Sequence, residues 1–385
     1  MDLPNNLWQV VARAAGLPSL PPGSDDEAAR FIGQCHTEGV LPLLFAFPPA
    51  DERIIGALAG WRALAAAHRR RTEVIRRTIL ALPSLIEEDF ALLKGSDLAW
   101  RLYPQPELRP MGDIDILVRS DTLERVIARL GRKGFRRNRS RLQHYSPRNP
   151  DLAFDLGDVT LEVHHSIVYR SAAKIDYDDL WNRRKPLQLD GVTLQRLDDT
   201  DAAVVAAMNV AKDHLCAPLI KHLDLWLMVR ADARLASAVL ARAAEWKARN
   251  AVHAAFGLAS LLFTELSPPP ARPLFDRLVT HSALEHRDLR RLPAMVRWWR
   301  KFWLLDRLDF RMLYAADIIL ARIYGMVSQI PRPWGRFGRA SLESARTRHP
   351  GQGAAPSPRA DNPQGPAQPG PRLGGMRHPG QPSAR

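Results

Sequence analysis

The spacing of apolar residues along the chain changes twice. Over the first eighty or so residues they recur at helical intervals. Ser24 and Glu27 form a capping-box pattern ahead of the stretch AARFIGQCH, because the serine oxygen can accept the N3 amide while Glu27 reaches back. A longer helical pattern runs over residues 53–82 and is predicted to stop at Pro83. Its basic cluster, residues 68–71, reads as a solvated helix face, with RNA contact as the alternative.

Between residues 90 and 197 the pattern shortens into apolar runs separated by glycine, proline and aspartate turns. Residues 90–93 read as a buried strand, 94–96 as a turn, and 97–103 as a short helix with Ser96 as its N-cap. Residues 114–118 read as a second strand and 121–132 as a helix ended by Lys133 and Gly134. A further strand with alternating faces is predicted over 159–167. From Asp199 or Thr200, either a good N-cap, the helical period returns to about residue 325. A new helix start is marked at Pro218 and a break at residues 267–270.

Periodicity disappears beyond Pro331. The last residues are rich in proline, glycine and arginine, and such a stretch cannot bury enough surface to offset its ordering entropy. The expected organisation is therefore an α+β protein. A helical region at 1–84 and another at 199–335 flank a small mixed-sheet core at 85–198, and a disordered tail follows at 336–385.

Composition narrows the function classes. The chain has 385 residues, enough for a substantial core. It has only Cys35 and Cys216, which argues against a disulfide scaffold or a thiolate zinc site and fits a reducing cytoplasm. The start, MDLPNNLWQVV, does not read as a secretory signal. The longest apolar run, residues 254–263, is about half of the ~20 residues that a membrane-spanning helix needs. A cytoplasmic protein without a transmembrane segment is expected. The formal charge of +14 favours an anionic partner, although arginine is spread along the whole chain and the tail supplies part of the excess.

Residues two apart in a strand point to the same face, so Asp113 and Asp115 would present two carboxylates side by side while Ile114 and Ile116 enter the core. Such a pair calls for a hard divalent cation with oxygen ligands, magnesium first. A solvated strand end gives the same pattern by chance. Glu162 and His164 share a face on the 159–167 strand, opposite Leu161 and Val163. If that strand lies beside 114–118, three carboxylates converge, enough to hold two metal ions. The alternative is a water-exposed glutamate on an edge strand.

Lys94, Gly95 and Ser96 supply what a phosphate needs, since glycine lets backbone amides approach and the next helix offers its N-terminus. Strand-to-helix turns with glycine are common, and no Walker A pattern occurs in the chain.

Two further groups stand out. His214, Cys216 and His222 have the wrong spacing for a standard zinc motif, which favours core or helix-cap roles. Residues 297–303 interleave arginine and lysine with aromatics, as single-stranded nucleic-acid grooves do. The same spacing gives an ordinary packed helix face, or a membrane-surface face.

The order of these pieces carries a resemblance. LLKGSDLAWRLYP, then LRPMGDIDILV, LERVIARLGRKGF and TLEVHH resemble the uncharacterised bacterial nucleotidyltransferase family of the polymerase-beta-like superfamily. The similarity spans roughly residues 92–229, where KDHLCAPLIKHLDLWLMV approximates the family's later helical pattern. It implies a magnesium-dependent transferase, with Mn2+ as a second possible ion. This enzyme would move a nucleoside monophosphate from an NTP such as ATP to a hydroxyl-type acceptor, releasing pyrophosphate.

Position by position, the resemblance implies that Asp113 and Asp115 ligate the metal and that Glu162 is the third carboxylate, able to help deprotonate the acceptor. Gly95 and Ser96 would cradle the triphosphate, with Lys94 as a point charge. Arg109 matches the family's basic position and would pair with phosphate or sit in a surface salt bridge. His164 matches the Glu-x-His histidine on the acceptor side, whereas His165 stands where a large aromatic is expected. His214 and Asp224 would tie the helical part to the sheet. The acceptor is left open among a tRNA end, a protein, and a small molecule or peptide. The alternative from another class is a catalytically silent nucleotide- or RNA-binding module of the same fold.

Overall fold

The computed structural model describes residues 3–316 except 19, 139–150, 169–171, 233, 268 and 286–292. The predicted tail, residues 336–385, lies outside the described residues. Helices α1 (Leu7–Ala14), α2 (Asp25–Thr37), α3 (Leu41–Ala46), α4 (Glu52–Leu58) and α5 (Arg62–Leu85) come first. Ser24 caps α2 by accepting the Glu27 amide at 3.3 Å, and the Glu27 carboxylate returns to the Gly23 amide at 2.7 Å.

The pattern predicted as a single helix over 53–82 is interrupted by a 3-10 turn at Ala59–Trp61, where Gly60 weakens the helix. It also does not stop at Pro83. A proline lacks only its own N–H, and the Ile86 amide still reaches the Leu82 carbonyl at 2.8 Å, so α5 closes at Leu85.

The central third forms β1 (Phe90–Leu92), β2 (Ile114–Val118), β3 (Arg136–Arg137), β4 (Asp151–Leu156), β5 (Val159–His164), β6 (Lys185–Leu189) and β7 (Val192–Arg196). They make one mixed seven-stranded sheet in the order β3-β4-β5-β2-β1-β7-β6. β2 lies at its centre, antiparallel to β1 and parallel to β5. A parallel neighbour requires a crossover, and α7 (Leu123–Arg132), β3 and β4 provide it. The short hairpins were not read from the sequence as strands. Their signal is in the turns: Asp190 and Gly191 both have positive φ, as a two-residue turn between β6 and β7 demands.

Alternation sorts the sheet into two faces. Ile114, Ile116 and Val118 of β2, with Leu161 and Val163 of β5, share a core with Ile75, Ile79 and Leu82 of α5 and with Val126 and Leu130 of α7. The opposite face meets the helical part, in which α9 (Asp199–Lys212), α10 (Leu219–Ala231), α11 (Leu235–Glu245) and α12 (Arg249–Leu262) pack together. α9 is apolar almost all round, as a helix enclosed between neighbours should be. Its N-cap is Asp198 and neither Asp199 nor Thr200, the two predicted, because the Asp198 carboxylate accepts the Asp201 amide at 2.7 Å. α10 begins directly after Pro218, as predicted.

Candidate active site

The register between β2 and β5 places Asp115 opposite Glu162 and Leu117 opposite His164. Since Ile114, Ile116, Leu161 and Val163 take the other face, Asp115, Glu162 and His164 share the face turned toward the helical part. All three are buried, and one ligand-type atom of each lies within 4.8 Å of the others. Among the described residues this is the one such group of His, Cys, Asp and Glu. His214, Cys216 and His222 do not gather in this way. Asp113 is half-buried one residue ahead of β2 and falls outside the group of three.

Lys94 completes the cluster. Its ammonium donates to Asp115 Oδ1 at 2.6 Å and lies 3.4 Å from His164 Nε2 and 3.9 Å from Glu162 Oε2. His164 Nε2 is 2.8 Å from the same Asp115 oxygen. Burial acts to raise the Asp115 pKa, but the Lys94 charge and the His164 hydrogen bond outweigh it and hold the carboxyl well below the usual range. Burial, with the Lys94 charge next, lowers the His164 pKa and keeps the ring neutral. Its Nδ1 is buried without a hydrogen-bond partner. The closeness of His164 Nε2 to both carboxylates, 2.8 Å from Asp115 and 3.6 Å from Glu162, fits a divalent cation held by two oxygens and a nitrogen. The nitrogen donor widens the choice beyond magnesium toward manganese.

The turn after β1 is built with strain. Lys94 has φ 49° and ψ −129°, a region that non-glycine residues occupy at a cost of about 1–3 kcal/mol. α6 (Gly95–Leu102) starts at once, so Ser96 lies inside the helix and is not its N-cap. Its fully buried hydroxyl instead accepts the Asp115 amide at 2.8 Å, which fixes the backbone of the central carboxylate.

Arg109 is also buried, in an ion pair with Asp224 of α10 at 2.7 Å, and Tyr103 donates to the same carboxylate at 2.8 Å. Burial acts to lower the Arg109 pKa, but the Asp224 charge and hydrogen bonds raise it further. Asp224 thus joins the helical part to the site turn. Gly95 sits against this guanidinium: a Cβ built there would run into Arg109 Nη1 and stand 2.9 Å from its Cζ. Because Asp224 holds the arginine in place, Gly95→Ala is expected to lower stability by about 1–3 kcal/mol in urea unfolding.

A partly open pocket adjoins the cluster, and its lining includes Lys94, His164, Asn209, Lys212 and Lys301. Val205, Met208 and Leu304 belong to its apolar wall. Lys301 has its pKa lowered to about 8 by burial first and then by Lys212. Asn209 and Lys212 were missed by the sequence reading, and Lys301 was noted only within the segment 297–303, because these residues come from helices remote in sequence from β2. In the helix Ala294–Leu304 the i,i+4 aromatics meet, Trp298 stacked on Phe302 at 5.3 Å and Trp299 edge-on to Trp303 at 5.5 Å, while Trp299 remains exposed and Leu304 is buried. Arg300 is fully buried and donates to the Ser282 carbonyl at 2.6 Å.

No helix among the described residues is long and apolar enough to cross a membrane. No curated protein and no solved structure matches the chain. A family model described as uncharacterised nucleotidyltransferase matches residues 24–264, a span that holds Lys94, Gly95, Ser96, Arg109, Asp113, Asp115, Glu162, His164 and Asp224. With more than half of its length matched by that model, the chain belongs to this nucleotidyltransferase family.

Proposed function

We propose that the protein transfers a nucleoside monophosphate from an NTP to a hydroxyl-type acceptor, releasing pyrophosphate, at the cluster of Asp115, Glu162 and His164. The observation that carries this reading is the register that sets Asp115 opposite Glu162 on one buried face beside a glycine turn, in a chain of this family. Asp115 and Glu162, with His164 and with Asp113 close by in sequence, would hold a divalent cation, magnesium or manganese. When bound, that ion supplies charge neutralisation on the transferring phosphate.

The remaining roles belong to the chain. Lys94 lies close enough to the carboxylates to act on both them and phosphate, and Gly95 keeps side-chain bulk away from the turn. Ser96 holds the Asp115 backbone, while Arg109 and Asp224 set the turn against α10. Glu162 takes the acceptor proton in this reading. The cavity beside His164 receives the substrates, and its lysines favour anionic groups. Catalysis is then mostly positioning and charge neutralisation. A cytoplasmic setting, in which NTPs are at hand, goes with this activity.

One observation favours the alternative of a silent nucleotide- or RNA-binding module: the Lys94 ammonium is ion-paired to the Asp115 oxygen that a cation would use. Incubation with each α-labelled NTP and a cell extract, followed by separation of RNA, protein and small molecules, tests the two. Label carried into any fraction by the wild type and lost with Asp115→Asn supports transfer, and the labelled fraction identifies the acceptor class. Nucleotide binding with no label in any fraction supports the silent module.

A further inference from the structure

The position of Lys94 implies more than phosphate contact. Its ammonium stands among the atoms that would ligate a cation, 2.6 Å from Asp115, 3.4 Å from His164 and 3.9 Å from Glu162. A monovalent cation and a divalent one cannot share that space, because both need the same Asp115 oxygen and like charges repel. The residue is also held in a positive-φ backbone conformation that costs energy, so the fold maintains this placement against local preference. The side chain borders the cavity as well as the cluster, so a second environment adjoins the first. On the cavity wall stand Lys212 and Lys301, which raise the local positive potential and favour an anion there.

We propose that Lys94 is a built-in counter-cation that holds the metal position until an anionic ligand in the adjoining cavity draws it away, so that cation and phosphate bind together. The inference rests on the metal-dependent reading proposed above. It explains how two buried carboxylates remain stable side by side before any ion arrives. It also makes the two ligands reciprocal, since whatever removes the ammonium from Asp115 assists the cation, and the cation in turn frees the ammonium for phosphate.

The test is Mn2+ binding by the full chain, followed through the electron paramagnetic resonance signal of free Mn2+. Lys94→Met and Lys94→Gly remove the competing charge, and the glycine variant also suits the positive φ should methionine disturb folding. Both are expected to bind Mn2+ about tenfold or more tightly than the wild type, as expected for loss of a charge-assisted bond to the shared oxygen. Asp115→Asn should remove this binding in every background. AMP, as the anionic probe, should tighten Mn2+ binding in the wild type and leave Lys94→Met unchanged.

Wild-type affinity, or weaker, in both Lys94 variants overturns the inference while leaving the metal site standing if Asp115→Asn still abolishes binding. An equal AMP effect in wild type and variant, or none in the wild type, also overturns it. Absence of Mn2+ binding in all of these proteins overturns both the inference and the metal-dependent reading.

Discussion

Replacing Asp115 by asparagine is expected to lower nucleotidyl transfer by about 10²–10³-fold, the scale on which loss of one preorganised electrostatic contact acts. The fold should survive, because asparagine retains an oxygen for the Lys94 ammonium and leaves the Ser96 hydrogen bond to the backbone untouched. The net cost at neutral pH should be about 1–3 kcal/mol, the range for a hydrogen bond to a charged group.

The pH dependence distinguishes this variant from a general loss of stability. Asp115 has a folded pKa below its unfolded value of about 3.9, so the unfolded state binds the proton first as pH falls. Its contribution is complete above that value and is lost as pH drops through the folded pKa. His164 is likewise lowered, so its neutral ring contributes fully above about 6.5 and destabilises the fold as pH falls below that point. Wild-type stability should therefore decline from about pH 6.5 and more steeply below about pH 4. In Asp115→Asn the second decline should be shallower but not absent, because Asp199 is also held low, Lys185 and Arg196 outweighing its burial. Urea unfolding across a pH series measures both, and an unchanged acid limb would show that Asp115 contributes nothing to it.

Asp224→Ala should have the largest effect on stability, about 3–5 kcal/mol, because it leaves the Arg109 guanidinium buried without its partner. Tyr103 loses its acceptor at the same time. The arginine would also be free to move against Gly95, so activity should fall beyond what unfolding explains. Arg109→Met together with Asp224→Leu removes both charges and should recover most of the lost stability. Chemical denaturation of the wild type, two single variants and the double variant forms a cycle whose coupling term should be large and favourable. Additive losses would show that the pair does not join α10 to the site turn.

The strand carrying Asp115 was legible to the residue, because a short apolar run rich in β-branched residues between turn residues reads as a buried strand. The shared face of Glu162 and His164 was legible for the same reason, since a period of two fixes facing without tertiary information. Their juxtaposition with Asp115 was conditional until the parallel pairing of β2 and β5 was seen, because strand order is not encoded locally. Ser96 shows the limit of local rules. A serine before an acidic helical stretch is a good cap by propensity, yet tertiary contact with the Asp115 amide claims its hydroxyl. Arg109 could be located in the motif but not paired, since Asp224 lies far along the chain. The cavity residues Asn209 and Lys212 carried no motif, and Lys301 was legible only as part of the cation–aromatic segment 297–303, so folding alone brings the three to the pocket of Lys94.

Parallel incubations with α-labelled and γ-labelled ATP, with a cell extract and Mg2+ or Mn2+, test the central claim most directly. Transfer of the α label to an acceptor, with the γ label recovered in pyrophosphate, and loss of both products in Asp115→Asn and Glu162→Gln, is the predicted result. Transfer of the γ label to the acceptor, or α transfer undiminished in both variants, would contradict a nucleotidyl transfer carried by Asp115 and Glu162.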